Sequence, residues 1–241
     1  MIIPVLLPAC SGPLSMLDPA GPGAREAATL WWGIFAFFTL VYLGVVIAWF
    51  YALRRNDGSH DSGLGSTGHP DNEHRLHQGL IIGGGIILPV IAMFALLIPG
   101  APAGNRMAGT HLSAEQALHL QITGHQWWWE VRYPATNDGP AFTLRNELHI
   151  PAGTPIRLSL ESADVIHSLW IPRLAHKMDL VPGRVNELFV QADEPGIYPG
   201  VCAEFCGLAH AHMTLELHAH TPQDFARWQV EQANGPDEAE R

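Results

Sequence analysis

Near its C-terminal end the chain reads Cys202-Ala-Glu204-Phe-Cys206-Gly-Leu-Ala-His210-Ala-His212-Met213, and His167 stands alone upstream. Two thiols, imidazoles and a thioether within one loop form a set of soft and borderline donors. Thiolate, imidazole and thioether together select copper, and a weak axial methionine is typical of electron-transfer sites. The spacing fits two ions better than one: two thiolates bridging, His167 and His210 capping one ion each, and Met213 with a backbone carbonyl as weak outer ligands. Other chemistries use the same residues. A C-x3-C pair in an exported domain often closes as a disulfide, and Cys202, Cys206 and two histidines make a tetrahedral zinc set. Neither alternative gives Met213 a task.

The loop resembles the dinuclear copper (CuA) loop of subunit II of the haem-copper cytochrome c oxidases. Three further segments resemble that family, in its order: Gly124-His-Gln-Trp127-Trp-Trp129, Asp164-Val-Ile-His167-Ser-Leu-Trp-Ile-Pro172, and Lys177-Met-Asp-Leu-Val-Pro182-Gly-Arg184-Val-Asn186. The resemblance implies two copper ions held by His167, Cys202, Glu204 (through its carbonyl), Cys206, His210 and Met213. It makes Trp127 the surface over which electrons enter from a c-type cytochrome, and it passes them to the haem of subunit I, where oxygen is reduced and protons are pumped. The Glu204 carboxylate would share a Mg2+ ion with subunit I, hard oxygen suiting a hard cation. Asp164 and Glu130 are docking acids for the cytochrome, and His212 matches no ligand position. Two positions depart from the family pattern. Arg132 stands where mitochondrial members tend to carry an acid, and Leu80-Ile-Ile-Gly-Gly-Gly-Ile-Ile lacks the glutamate that many relatives place at the start of their second membrane helix, the nearest acid being Glu73.

These donors need a scaffold. From residue 101 onward, short alternating segments such as 118–122, 127–133, 156–160, 186–190 and 213–217 are punctuated by Gly and Pro. Period-two alternation with frequent turns predicts an all-β sandwich, which the resemblance sharpens to a cupredoxin-like Greek-key barrel. Thr221-Pro222-Gln-Asp224 starts a closing helix, with a capping hydroxyl, proline at the first helical position and an acid in the first turn.

The first hundred residues are of another kind. Residues 29–53 and 79–104 carry no charge, and about 20 apolar residues suffice to cross a bilayer. They predict a transmembrane hairpin over 29–104, with a kink at Pro89 and with Gly83, Gly84 and Gly85 allowing another helix to approach closely. Arg54, Arg55 and Arg75 in the intervening loop, against Arg25 before the first span, place that loop in the cytoplasm and residues 105–241 in the periplasm of a bacterial inner membrane. Leu7-Pro-Ala-Cys10 resembles a lipobox, so Cys10 is the expected acylation site and 1–28 the expected signal and extended tether.

With 13 Lys and Arg against 23 Asp and Glu, the chain has no basic stripe for nucleic acid, and its acidic surface suits a basic protein partner. No C-x-x-C-H run is present, so no c-type haem is fused to it. The expected role is electron entry to a terminal oxidase; the competing one is a membrane-tethered copper-storage or copper-delivery protein, which needs neither the Trp127 platform nor the glycine-rich helix.

Overall fold

The structure is a computed structural model that describes residues 10–56, 78–109, 117–136 and 139–235. The chain divides into two units, residues 29–102 and the remainder.

The smaller unit is helical. Helix α1 runs Pro22–Asn56 and helix α2 runs Gln78–Met107. None of the most apolar stretch of either helix is buried by the rest of the chain, and Leu40, Ile47, Leu80 and Ile98 are among many large side chains left exposed. Apolar surface this extensive requires lipid or protein to cover it. The irregularity expected at Pro89 falls just before it. Gly83–Ile87 form a π-helical turn, and Leu88 N–H reaches back to the Gly83 carbonyl. Pro89 has no N–H to return to the preceding turn, and three glycines leave the backbone free to widen there. A methyl group on any of the three would meet open space, so among the described residues no neighbour uses the close approach they permit. The loop carrying Glu73 and Arg75 lies outside the described residues.

The larger unit is an all-β sandwich. One sheet has the order β3 (Phe142–Arg145), β2 (Trp128–Tyr133), β1 (Leu118–His125), β5 (Ile156–Ser162), β8 (Asn186–Val190). The other has the order β4 (Glu147–Pro151), β10 (Thr214–His220), β9 (Gly196–Cys202), β6 (His167–Trp170), β7 (Met178–Leu180). Pairing is antiparallel except for β1 with β5 and β4 with β10. Those two parallel pairs oblige the chain to cross between sheets, as the cupredoxin-like Greek key does. Alternate residues face inward: Leu120, Ile122, Trp129, Val131, Leu158, Leu160, Leu215 and Leu217 are all at most 1% exposed. At one corner the Tyr133 hydroxyl accepts from the His149 amide at 2.7 Å and donates to the His149 carbonyl at 2.9 Å.

Helix α3 (Pro222–Asn234) closes the unit, its Thr221 side chain accepting from the Asp224 amide. The N-terminal segment departs from the extended tether expected of it. Ala20 and Ala24 donate backbone bonds to Arg173 and Leu174, and Asp193 donates to Ala20. A Cβ on Gly21 would collide with the Gln191 carbonyl, so glycine is what lets this backbone dock rather than trail. The lipobox residues before Cys10 lie outside the described residues; Cys10 itself is exposed.

Candidate metal centre

One end of the sandwich gathers the donors. Strand β6 begins at His167, β9 ends at Cys202, and Leu169 of the one pairs with Cys202 of the other. This register places the imidazole beside the thiol. After β9 the chain loops through Glu204 and Cys206, turns at Gly207 (φ 126°) and passes through a single 3-10 turn, His210–His212. Met213 then leads into β10. Cys202, Cys206, Met213 and His167 are buried, and both thiols are free.

The donor atoms converge. Cys202 Sγ lies 3.8 Å from Cys206 Sγ, 4.0 Å from His167 Nδ1 and 3.2 Å from the Glu204 carbonyl oxygen. Cys206 Sγ lies 3.6 Å from His210 Nδ1 and 3.8 Å from Met213 Sδ. The ligating atoms of His167, Cys202 and Cys206 all fall within 4.8 Å of one another, the one such group among the described residues. His212 is exposed and stands apart.

The two thiols differ electrically. Burial disfavours a thiolate at Cys202, but bonds with His167 and with the backbone at Ser168 and Glu204 outweigh it and bring this thiol well below its ordinary value. At Cys206, burial and then the negative charge of Cys202 both push the thiol up. One thiolate forms readily and the second requires a cation beside it, as expected of a site completed by metal. Two sulfurs at this separation can both touch one ion at an ordinary metal–thiolate bond of about 2.3 Å, so the residues fit copper.

Behind the donors lies a layer of hydrogen bonds. His167 Nε2 is 2.8 Å from Asp164 Oδ1, while Asp164 Oδ2 accepts the Gln126 amide at 2.7 Å. Gln126 Nε2 donates to the Cys206 carbonyl at 2.7 Å. Gln126 thereby ties both histidine support and copper loop to the end of β1; its sequence gave no signal beyond membership of the aromatic segment. Asp164, expected as a docking acid, has both oxygens engaged inside this layer. Glu130 is paired with Arg145 in the strand register, and its carboxylate lies 4.0 Å from His125 Nε2. Trp127 is half-buried over the loop: a Cβ on Gly207 would come within 3.1 Å of its Nε1. Glu204 turns its side chain outward and its carbonyl inward. Phe205 and Leu208, 78% and 97% exposed, crown the loop.

Residues 141–220 match the family model described as cytochrome C oxidase subunit II, periplasmic domain. Cytochrome c oxidase subunit 2 of Alkalihalophilus pseudofirmus is 30% identical over 227 residues, covering 89% of this chain and 61% of that protein. The crystallised periplasmic domain of subunit II of cytochrome oxidase from Bradyrhizobium japonicum is 33% identical over 48% of this chain and 93% of that one, with a TM-score of 0.45. This chain belongs to the cytochrome c oxidase subunit II family. The subunit 2 of Synechocystis is 36% identical over 147 residues, which cover 59% of this chain and 43% of that protein. The chain thus spans 61% or less of the length of these two curated relatives. The family and the buried Cys–Cys–His cluster together suggest copper binding.

Proposed function

We propose that this subunit II family member is the electron-entry component of a membrane-bound terminal oxidase, taking electrons from a c-type cytochrome and delivering them to the haem of subunit I. The observation that carries the reading is the convergence of two free thiols, two imidazole Nδ1 atoms and a thioether in one loop cluster. Two copper ions bound there would share one added electron across both metals, which keeps the accompanying bond-length changes small. The chain's own residues do the rest. Cys202 and Cys206 would supply thiolates, His167 and His210 imidazoles, and Met213 and the Glu204 carbonyl the weaker donors that hold the metal. Asp164 and Gln126 hold His167 and the loop in register, since metal-bound imidazoles depend on such outer partners.

Trp127 is the entry surface, because its indole lies against Gly207, the residue after Cys206. The exposed Phe205 and Leu208 fit burial against another protein at the copper end, and the acidic balance of the chain favours a basic donor. The Glu204 carboxylate is placed to hold Mg2+ with an oxidase partner. The two apolar helices anchor the subunit in the bacterial inner membrane, with the β-domain on the periplasmic side.

The test is metal stoichiometry and electron paramagnetic resonance on the full chain in detergent after copper loading. Two coppers per chain with one unpaired electron shared equally is the expected result. A single copper with a mononuclear spectrum would overturn electron entry and favour copper handling.

A further inference from the structure

Helix α3 covers a histidine that the sandwich itself leaves outside. On β4, Leu148 and Ile150 are fully buried in the core, so His149 between them points to the opposite face. It is nevertheless only 8% exposed. Its ring is stacked between Trp228 of α3 (centroids 4.2 Å apart, planes within 10°) and His218 of β10 (4.6 Å, 8°). His149 Nδ1 lies 2.8 Å from His220 Nε2. His220 ends β10, and the next residue, Thr221, caps α3.

We propose that α3 is an acid-released latch, docked over β4 and β10 while His149 and His220 are neutral and undocked when both take up a proton. One proton between two ring nitrogens at this distance makes a hydrogen bond. A proton on each sets two donors against one another with no acceptor between them, and the pair must part. His149 cannot retreat, because its backbone is held by the Tyr133 hydroxyl and by its register with His218. His220, half-buried at the strand end, moves instead and carries Thr221 and the first turn of α3 with it. The helix then gives up the footing of Trp228, whose indole meets Tyr133 and Phe142 edge-on.

The groups around the pair act in both directions. From β4, Glu147 Oε2 lies 3.4 Å from His149 Nε2 and favours a charged ring. From β10, His218 and His220 disfavour it, and Glu216 lies against His218. From α3, Asp224 favours charge on His220, although Thr221 and Arg227 already engage that carboxylate. The Trp228 indole also attracts a cation. Burial, the largest influence on both rings, prevails; it lowers His220 and brings His149 to about 4.

Much of that burial comes from α3, and linkage is reciprocal: docking that expels a proton is opposed by that proton. The ring titrates near 6.5 when uncovered and at a lower value when covered, so docking is fully favoured above about pH 6.5 and weakens as the pH falls toward 4. Between pH 7.5 and pH 5 the docked-to-undocked ratio should fall by about tenfold, once solvent screening is allowed for.

The test is hydrogen exchange read by mass spectrometry on the full copper-loaded chain in detergent, with rates converted to protection factors at each pH. Residues 222–234 should lose about tenfold in protection between pH 7.5 and pH 5, while β1 and β5 keep theirs. His149→Gln should make α3 protection the same at both pH values, and so should His220→Gln, at a half-buried position that tests the pair even if the first variant folds poorly. Protection of α3 that does not change with pH would overturn the proposal. So would a parallel loss in β1 and β5, which is unfolding of the whole domain, or a pH dependence that persists in both substituted chains.

Discussion

Asp164 Oδ1 lies 2.8 Å from His167 Nε2, on the side of the ring away from Cys202. A residue that its sequence position marks for docking thus also holds the ring of His167, one of the clustered donors. Burial opposes its charge, but bonds from His167, the Val165 amide and the Gln126 amide hold the carboxyl below its usual range.

Asp164→Asn tests this directly. An amide has one oxygen where the carboxylate has two, so either the Gln126 amide or the His167 ring loses its acceptor. Loss of such an outer partner typically costs about 10- to 100-fold in metal affinity. Copper competition against a graded chelator should show a loss of that order, with the circular dichroism of the β-domain unchanged. Unaltered affinity would mean that Asp164 acts at the surface alone.

The Gly124 position gives an independent handle on the same ring. A Cβ there would sit 2.9 Å from His167 Cδ2 and 3.3 Å from Leu180 Cδ2. Gly124→Ala therefore presses on the buried imidazole, and overpacking of this kind costs about 1–3 kcal/mol. A lowered melting temperature is expected together with an altered copper spectrum. A lowered melting temperature with an unchanged spectrum would show that Leu180 and the strand absorb the strain instead.

How much of this was legible beforehand follows from what each residue answers to. Alternation exposed β1, β5, β8 and β10, because one face of each is core and the other is not. The short strand β7 and β9, with Gly196, Pro199 and Gly200 along it, carry little period-two contrast and escaped the pattern. The clustered donors could be picked out in the sequence because donor chemistry restricts residue type. Their supports could not: Gln126 and Asp164 act through a fold that brings residues 38 apart to 2.7 Å, and no local pattern encodes that. The His149–His218 pairing was hidden for the same reason, since parallel register between β4 and β10 is a tertiary fact. The docked N-terminal segment was misread because Gly and Pro signal looseness in sequence, whereas at Gly21 the missing side chain permits contact.

Trp127 offers a kinetic prediction. If electrons cross its indole, Trp127→Leu should slow reduction of the copper centre in the assembled oxidase by about tenfold or more, equivalent to roughly 1.4 kcal/mol of barrier. The copper spectrum should be unchanged and KM for the cytochrome should move less than kcat. Trp127→Phe, which keeps an aromatic face, should recover part of the rate. An equal loss in both variants confined to KM would make Trp127 a docking residue only.

The histidine stack predicts how stability depends on pH in the presence of chelator. Burial is the main cause that lowers His149; Glu147 opposes it and His218 and His220 reinforce it, bringing the ring to about 4. The unfolded chain takes up this proton near pH 6.5, the folded chain only near pH 4, so the unfolded state is the more protonated between these values. Stability is then fully present above about pH 6.5 and falls as the pH drops toward 4, by on the order of 2 kcal/mol once solvent screening is allowed for. The titratable groups that act on His149 are His218, His220 and Glu147 from the strands, with Asp224 of α3 acting on His220. Urea melts of the full chain at pH 5 and pH 7.5 should differ, and His149→Gln should remove most of the difference whatever it does to stability at pH 7.5.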